Sequence, residues 1–326
     1  MESYTVLQWM FFFYFYCFVG WCIESTYVSV KNRKLTNRGF MRGPFLPLYG
    51  SGAIMMLVVS MPFRDNMILT YVAGCIGATI LEYVTGVTME ALFKVRYWDY
   101  SNQKFNFQGH VCLGTTLAWG FLTILMTKVV HIPVEQLVFS IPEQVLKVST
   151  CILTVCIVAD FSLSFKAAID LRDVLVKMEQ VKEEMLHIQK RLNDILAQAN
   201  QGVENYRTAF TESVNAAREE LTEGMTVRFE DVKSGIEARL ETFKNMLLTK
   251  PTEYVESVKE ELLELKTKYA VSLADRNRLG RIRDFFQRDM IRSNPGMTSV
   301  RFSEALEELK KKAAEKKEKK KEDGQE

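Results

Sequence analysis

Five stretches of this chain are as apolar as the interior of a bilayer. They run over about residues 4–30, 45–61, 67–93, 111–130 and 141–165. A hydrocarbon core about 30 Å thick takes about 20 helical residues to cross. Inside it every backbone N–H and C=O must bond within the protein, and a helix does this by itself. These runs therefore predict an all-α fold, a bundle of five transmembrane helices over residues 1–165. The first run is too long for a signal peptide and has neither a basic start nor a small-residue cleavage site, so it reads as a retained span.

The apolar runs and the charged segments divide the chain in two. Net charge is +2 and 48% of residues are hydrophobic, averages that would suit a soluble protein. Yet all six cysteines and all four tryptophans lie in the first half, and the second half is charged. The two halves are built for different solvents. The cysteines (17, 22, 75, 112, 151 and 156) have no CxxC spacing. They read as small packing residues, with no metal site and no cofactor expected.

Loop charge orients the bundle. Loop one carries Lys31, Arg33, Lys34, Arg38 and Arg42 without an acid, and loop three carries Lys94, Arg96 and Lys104 against Asp99. Loop two has only Arg64 and Asp65, and residues 131–144 hold no Lys or Arg. Basic and neutral loops alternate, as the positive-inside rule requires. The expectation is an outer N-terminus, a multi-pass protein of the inner (cell) membrane, and a cytoplasmic C-terminal half.

Ionisable groups in hydrocarbon are costly and mark candidate functional positions. Glu24, Glu82, Glu90 and Asp160 lie in the apolar runs. Glu82 and Glu90 are roughly 80° apart around one helix, so one face holds both. With Arg38, Arg42, Asp99 and Asn106 they form a candidate polar cluster, in which Asp99 and Asn106 would hold loop arginines and Arg38 and Arg42 would approach Glu24 or Glu90. The stretch RGFMRGPFLPLYGSG (38–52) starts the second run. Pro44 and Pro47 lack N–H donors and suit a helix start. Gly39, Gly43, Gly50 and Gly52 allow bends and close approach, with Tyr49 between them, so the stretch reads as a bent or re-entrant start of span two. Ala73/Gly77 and Gly74/Ala78 on the third run are small-xxx-small pairs that let helices approach closely.

GFMRGPFLPLYGSG (39–52), EYVTGVTME (82–90), WDYS (98–101), NFQGH (106–110) and Trp119-Gly120 occur in that order. Over residues 7–165 the chain thereby resembles the bacterial membrane proteins grouped as type IV, CmpB-like ABC-transporter permeases. The resemblance implies a transport permease that works with a separate ATPase subunit. The chain itself has no GxxxxGK[ST] phosphate loop, so no ATPase is expected in it. HExxH and GxSxG are absent too, His110, His131 and His187 have no ligand spacing, and no catalytic residue is assigned.

The second half reads as a helical stalk. Leu171, Val174, Met178, Val181, Met185, Ile188, Leu192 and Ile195 step by three and four, a heptad seam that predicts a coiled coil continuous with span five. From 203 to 247 the apolar period becomes 11, with series through Val214, Ile236, Val232 and Phe243, a stripe for self-pairing or for lying on a membrane surface. Pro251 ends this coiled-coil helix (166–250), a second segment spans 251–293, and Asn294-Pro295-Gly296 opens a turn plus Lys-rich tail over 294–326. The expected partners are the lipid bilayer, further copies of the chain through the coiled coil, and the ATPase subunit. No aromatics interleave with the tail lysines, so no specific nucleic acid is expected. Two readings follow: a permease of unknown substrate, or a membrane-anchored coiled-coil scaffold that recruits partners at the inner face. In a cysteine-free background, a Cys at position 65 should react with an impermeant maleimide in intact cells, and one at 36 only after permeabilisation; the opposite pattern inverts the topology.

Overall fold

A computed structural model describes residues 4–200, 228–249, 259–280 and 285–322. The regular elements of the described residues are helices apart from one pair of two-residue antiparallel strands. It forms two compact units, residues 1–173 with 282–326, and residues 174–281.

In the first unit, α1 (Val6–Asn32) starts on a capping box made by Thr5 and Gln8 and ends on Arg33 in the left-handed region. The stretch between α1 and α2 (Pro47–Ser60) is irregular but not loose. It runs back along α1 on a ladder of residues four apart. The Thr36 N–H donates to Ser29 Oγ at 2.9 Å and the Arg38 N–H to Ser25 Oγ at 3.1 Å. Trp21 Nε1 donates to Asn37 Oδ1 at 2.6 Å, and the Leu46 N–H donates to the Cys17 carbonyl at 3.0 Å. Four residues make about one helical turn, so all four groups share one face of α1. Non-helical backbone at this depth is tolerated because protein satisfies it.

The ladder also explains the length of α2. That helix begins level with Cys17, midway along α1, and runs 14 residues before the 3₁₀ turn Met61–Phe63. Among the described residues, four helices are long and apolar enough to cross a membrane: Val6–Lys31, Met67–Phe93, Leu113–Ser140 and Glu143–Ala197. The second apolar run yields only the shorter Pro47–Phe63, about 26 Å of helix at 1.5 Å per residue. The run is thus entered by irregular chain, and its helix starts partway along α1, the bent start expected from its prolines and glycines.

In α3 (Met67–Phe93) the usual sorting by size is reversed. Ile68, Val72, Ile76, Ile80 and Val84 form an exposed stripe, while Gly74, Gly77, Ala78, Glu82 and Gly86 are buried. Large aliphatics outward and small residues inward is the pattern of a helix whose outer solvent is lipid. A Cβ at Gly74 would lie 2.2 Å from Thr123 Oγ1, so α3 and α4 (Leu113–Leu125) meet there backbone to side chain. Before α4, β1 (Asn106–Phe107) pairs with β2 (Val111–Cys112) in a small hairpin.

After α4 the helix does not stop near 130. A five-residue π-helical stretch, Met126–Val130, leads into α5 (His131–Ser140). Residues 131–140, expected as part of the loop over 131–144, are helical instead; the widened turn just before Pro133 leaves room for the proline's missing N–H and bulky ring. The chain reverses at Ile141-Pro142, where Ile141 is extended. Next, α6 (Glu143–Asn200) runs 58 residues without a break, as expected from the lack of Gly and Pro.

In the second unit the heptad seam is buried, but within the same chain. Val181, Met185, Ile188, Leu192 and Ile195 of α6 pack with Phe229, Val232, Ile236 and Phe243 of α7 (Phe229–Thr249) and Leu262, Leu265 and Tyr269 of α8 (Lys259–Leu279). The surface expected to pair with further copies is therefore covered by α7 and α8. Leu175 replaces Val174 as the fully buried residue of the second step. The 11-residue-repeat positions from 203 to 225, and Pro251, lie outside the described residues.

The segment expected as 251–293 divides between the units. Its last part, α9 (Phe285–Ser293), returns to the first unit and packs on α10 (Ser303–Glu322), where Arg292 donates to the Ala313 carbonyl at 2.7 Å. The start of the Lys-rich tail is a helix with Ala305, Leu306, Leu309 and Ala313 buried, so an apolar stripe holds it. In chemical denaturation, L192A should destabilise the second unit by about 2–5 kcal/mol; L263A, at an exposed position, should cost under about 0.5 kcal/mol. Equal effects would remove the assigned core.

Candidate functional site

The polar residues singled out from sequence gather at the end of the bundle that carries loops one and three, in three groups. In the first, Tyr49 Oη donates to Glu24 Oε1 at 2.8 Å, and Arg38 Nε lies 3.9 Å from Glu24 Oε2. The Arg38 fork goes elsewhere: Nη1 donates to Asn294 Oδ1 at 2.7 Å and to the Ser293 carbonyl at 3.3 Å, and Nη2 to the Tyr97 carbonyl at 3.4 Å. Burial pulls the guanidinium below its ordinary pKa, and the charge of Glu24 opposes that pull. Arg38 is thus a buried cation with both a counter-ion and carbonyl acceptors, the condition under which burial of charge is tolerable.

In the second group, Glu82 is 6% exposed and receives Tyr100 Oη at 3.0 Å and Trp119 Nε1 at 2.9 Å. Burial, and then Glu82 itself, raises the Tyr100 pKa, and Tyr49 lies near enough to add to that shift. The Glu24 and Glu82 groups are therefore neighbours through two tyrosines, not one ion-pair network. In the third group, Glu90 Oε2 is 2.8 Å from Arg96 Nε and 3.0 Å from His110 Nε2. Arg96 also pairs with Asp99 at 3.4 Å. Burial raises the Asp99 pKa, but hydrogen bonds from Ser101, the Arg96 charge and Thr298 Oγ1 bring it below the ordinary carboxylate range. Burial outweighs Glu90 at His110 and lowers the imidazole pKa.

Two expectations are corrected. Arg42 reaches neither Glu24 nor Glu90; its Nε lies 3.4 Å from Asp289 Oδ2, with the guanidinium 4.3 Å from the Phe286 ring centre. Among the described residues, Asn106 holds no arginine. It donates to the Ser101 and Gln103 carbonyls and accepts from Gly109 N–H, which shapes the hairpin. Asp99 does hold an arginine, Arg96. In the helix-start motif the Gly43 N–H donates to Asp160 Oδ2 at 2.8 Å. Gly39 has φ +142, and a Cβ on Gly50 would lie 2.4 Å from Cys17 Sγ; these two positions require glycine. Pro47 occupies the first turn of α2, Pro44 lies just before it, and a Cβ on Gly52 would meet open space.

Residues 290–302 close this end of the bundle, which the sequence did not indicate. Asn294 Nδ2 donates to the Gly39 and Met290 carbonyls, both at 2.9 Å. Arg96 and Thr298 exchange backbone bonds at 2.7 and 2.9 Å, and Ser299 Oγ donates to the Lys94 carbonyl at 2.7 Å. Loops one and three are thus tied to one C-terminal clasp, with Met297 fully buried. The space left beside it, between Gly39–Arg42, Ser164 and Phe286–Ser293, is about 10 Å³, room for one water at most.

Residues 11–165 match the family described as "Putative ABC-transporter type IV". That is the family which the motifs resemble. Neither the curated proteins nor the solved structures gave a match to the chain. The family region contains Glu24, Glu82, Glu90 and Asp99 and also Arg38, Arg96 and His110; the clasp lies outside it. Arg96, Tyr100, His110 and Trp119 were within reach of sequence reading, since they sit in or beside the family motifs. Asn294 and Thr298 had only a turn signal. N294A removes the Asn294 side chain's bonds to Arg38 and Gly39, and tryptic cleavage after the exposed Arg301 in lipid nanodiscs should accelerate about tenfold. D289A, which breaks a half-exposed ion pair, should change that rate less than about twofold.

Proposed function

We propose that this chain is the membrane component of an ABC-type transport system whose ATPase is a separate chain, with its N-terminus outside and residues 166–326 in the cytoplasm. The family match of residues 11–165 supports the class. The alternation of basic and neutral loops supports the orientation. The observation that carries the reading is the Glu24–Tyr49–Arg38 group. It is an acid, a phenol and a guanidinium held at the start of a short, irregularly entered helix, the setting in which transporters build polar sites at membrane depth. Glu82, beside it through Tyr100, extends the polar lining inward. In this reading the clasp closes the cytoplasmic side, and movement of residues 290–302 away from Arg38 opens it.

A scaffold reading draws on a different observation. Residues 174–281 have their own core and a charged outer surface with ion pairs such as Arg191–Glu261 and Lys268–Glu264. That unit suits recruitment of a partner at the membrane face. Transport is separated from it by flux through reconstituted vesicles with ATPase supplied. E82Q, which removes the charge accepting from Tyr100 and Trp119, should reduce flux of the carried solute at least about tenfold, while N294A raises leak. Identical flux in wild type, both variants and empty vesicles over a broad solute panel leaves the scaffold reading.

A further inference from the structure

At the other end of α1 a second polar group lies inside the bundle. His131, 4% exposed, is the first residue of α5 and sits edge-on to Phe12 at 4.8 Å between ring centres. Each of its ring nitrogens meets a phenol. Tyr16 Oη lies 2.8 Å from Nδ1, and Tyr4 Oη lies 3.2 Å from Nε2. Tyr4 in turn donates to Glu135 Oε1, one helical turn along α5. Arg64, on the turn after α2, is the other charge facing the group.

One assignment of hydrogens pairs both ring nitrogens, with Arg64 as a further donor to the Tyr4 oxygen. An ionised carboxylate only accepts, so the single hydroxyl hydrogen of Tyr4 goes to Glu135. Tyr4 then offers a lone pair to the ring, and Nε2 carries the imidazole hydrogen. Nδ1 is left as the acceptor, and Tyr16 donates to it. We propose that His131 is a proton-binding site, and that Tyr16 reads its state. On acidification a hydronium ion gives its proton to the Nδ1 lone pair: one O–H bond of hydronium breaks, the Nδ1–H bond forms, and water leaves. Tyr16 keeps its own hydrogen but turns from donor to acceptor. The Nε2–H···Tyr4–H···Glu135 chain is unchanged, which places the new imidazolium two hydrogen bonds from a carboxylate. Tyr16 belongs to the core with Phe12, Met56, Leu57 and Val138. The hydroxyl hydrogen that turns therefore lies inside the core that α1, α2 and α5 share. The inference does not depend on what the bundle transports.

The test is ¹⁵N NMR of the full chain, histidine-labelled, in lipid nanodiscs from pH 8 to 4.5, with signals assigned by H110Q and H187Q. At pH 8 His131 should be the Nε2–H tautomer with a hydrogen-bonded Nδ1, and it should become imidazolium on acidification. E135Q removes the facing negative charge and should lower that midpoint by about one pH unit. Y4F breaks the chain to the carboxylate and should lower it as well, and carries the test if E135Q disturbs the His110 signals that report an intact fold. A His131 ring that keeps one protonation state throughout, or a midpoint unmoved by both variants, overturns the assignment.

Discussion

Backbone polar groups inside the apolar bundle must find partners in protein, and the arrangement of this molecule follows from how one stretch meets that demand. Residues 34–46 are not helical, yet they lie along α1. Cys17, Trp21, Ser25 and Ser29 supply one bonding group per turn of a single helical face. Because the ladder carries the chain back to the level of Cys17, α2 starts deep and is short. Because α2 starts there, Tyr49 reaches Glu24 and Gly50 meets Cys17. Asp160 completes the set by accepting from Gly43.

The same economy of polar groups shapes the candidate site. Glu24, Glu82 and Glu90 could have formed one cluster with loop arginines. Each instead has its own donors: Tyr49 with Arg38, Tyr100 with Trp119, Arg96 with His110. Separate satisfaction keeps three carboxylates within one end of the bundle without strong mutual repulsion. The clasp then supplies acceptors for Arg38 and a backbone partner for Arg96. It ties together two loops far apart in sequence.

Features with a local physical cause were legible in the sequence. These are the apolar runs, the irregular start of α2, the small inward face of α3, the unbroken α6, the buried heptad positions, and the concern of Asp99 with an arginine. The errors arose where a remote segment decided the outcome. Arg42 is drawn to Asp289 and Phe286, residues almost 250 positions away. The seam of α6 looks the same whether a second copy or α7 and α8 cover it, since a heptad pattern records burial without naming the partner. Residues 131–140 were counted with a loop because the π-helical turn that carries the helix past 130 has no sequence signature of its own.

By itself, then, the sequence determined the membrane character of the first half, the resemblance of that half to the family it matches, the described helices of the second half and the residue types that would have to be neutralised in hydrocarbon. Periodicity and charge are properties of neighbouring residues, and these conclusions needed only neighbours. Tertiary structure alone decided which donor meets which carboxylate, that α2 begins midway along α1, that the seam closes within the chain, and that residues 290–302 cover Arg38. It also set the Tyr16–His131–Tyr4–Glu135 order. Each of these is a contact between segments whose spacing in the chain carries no information about their distance in space.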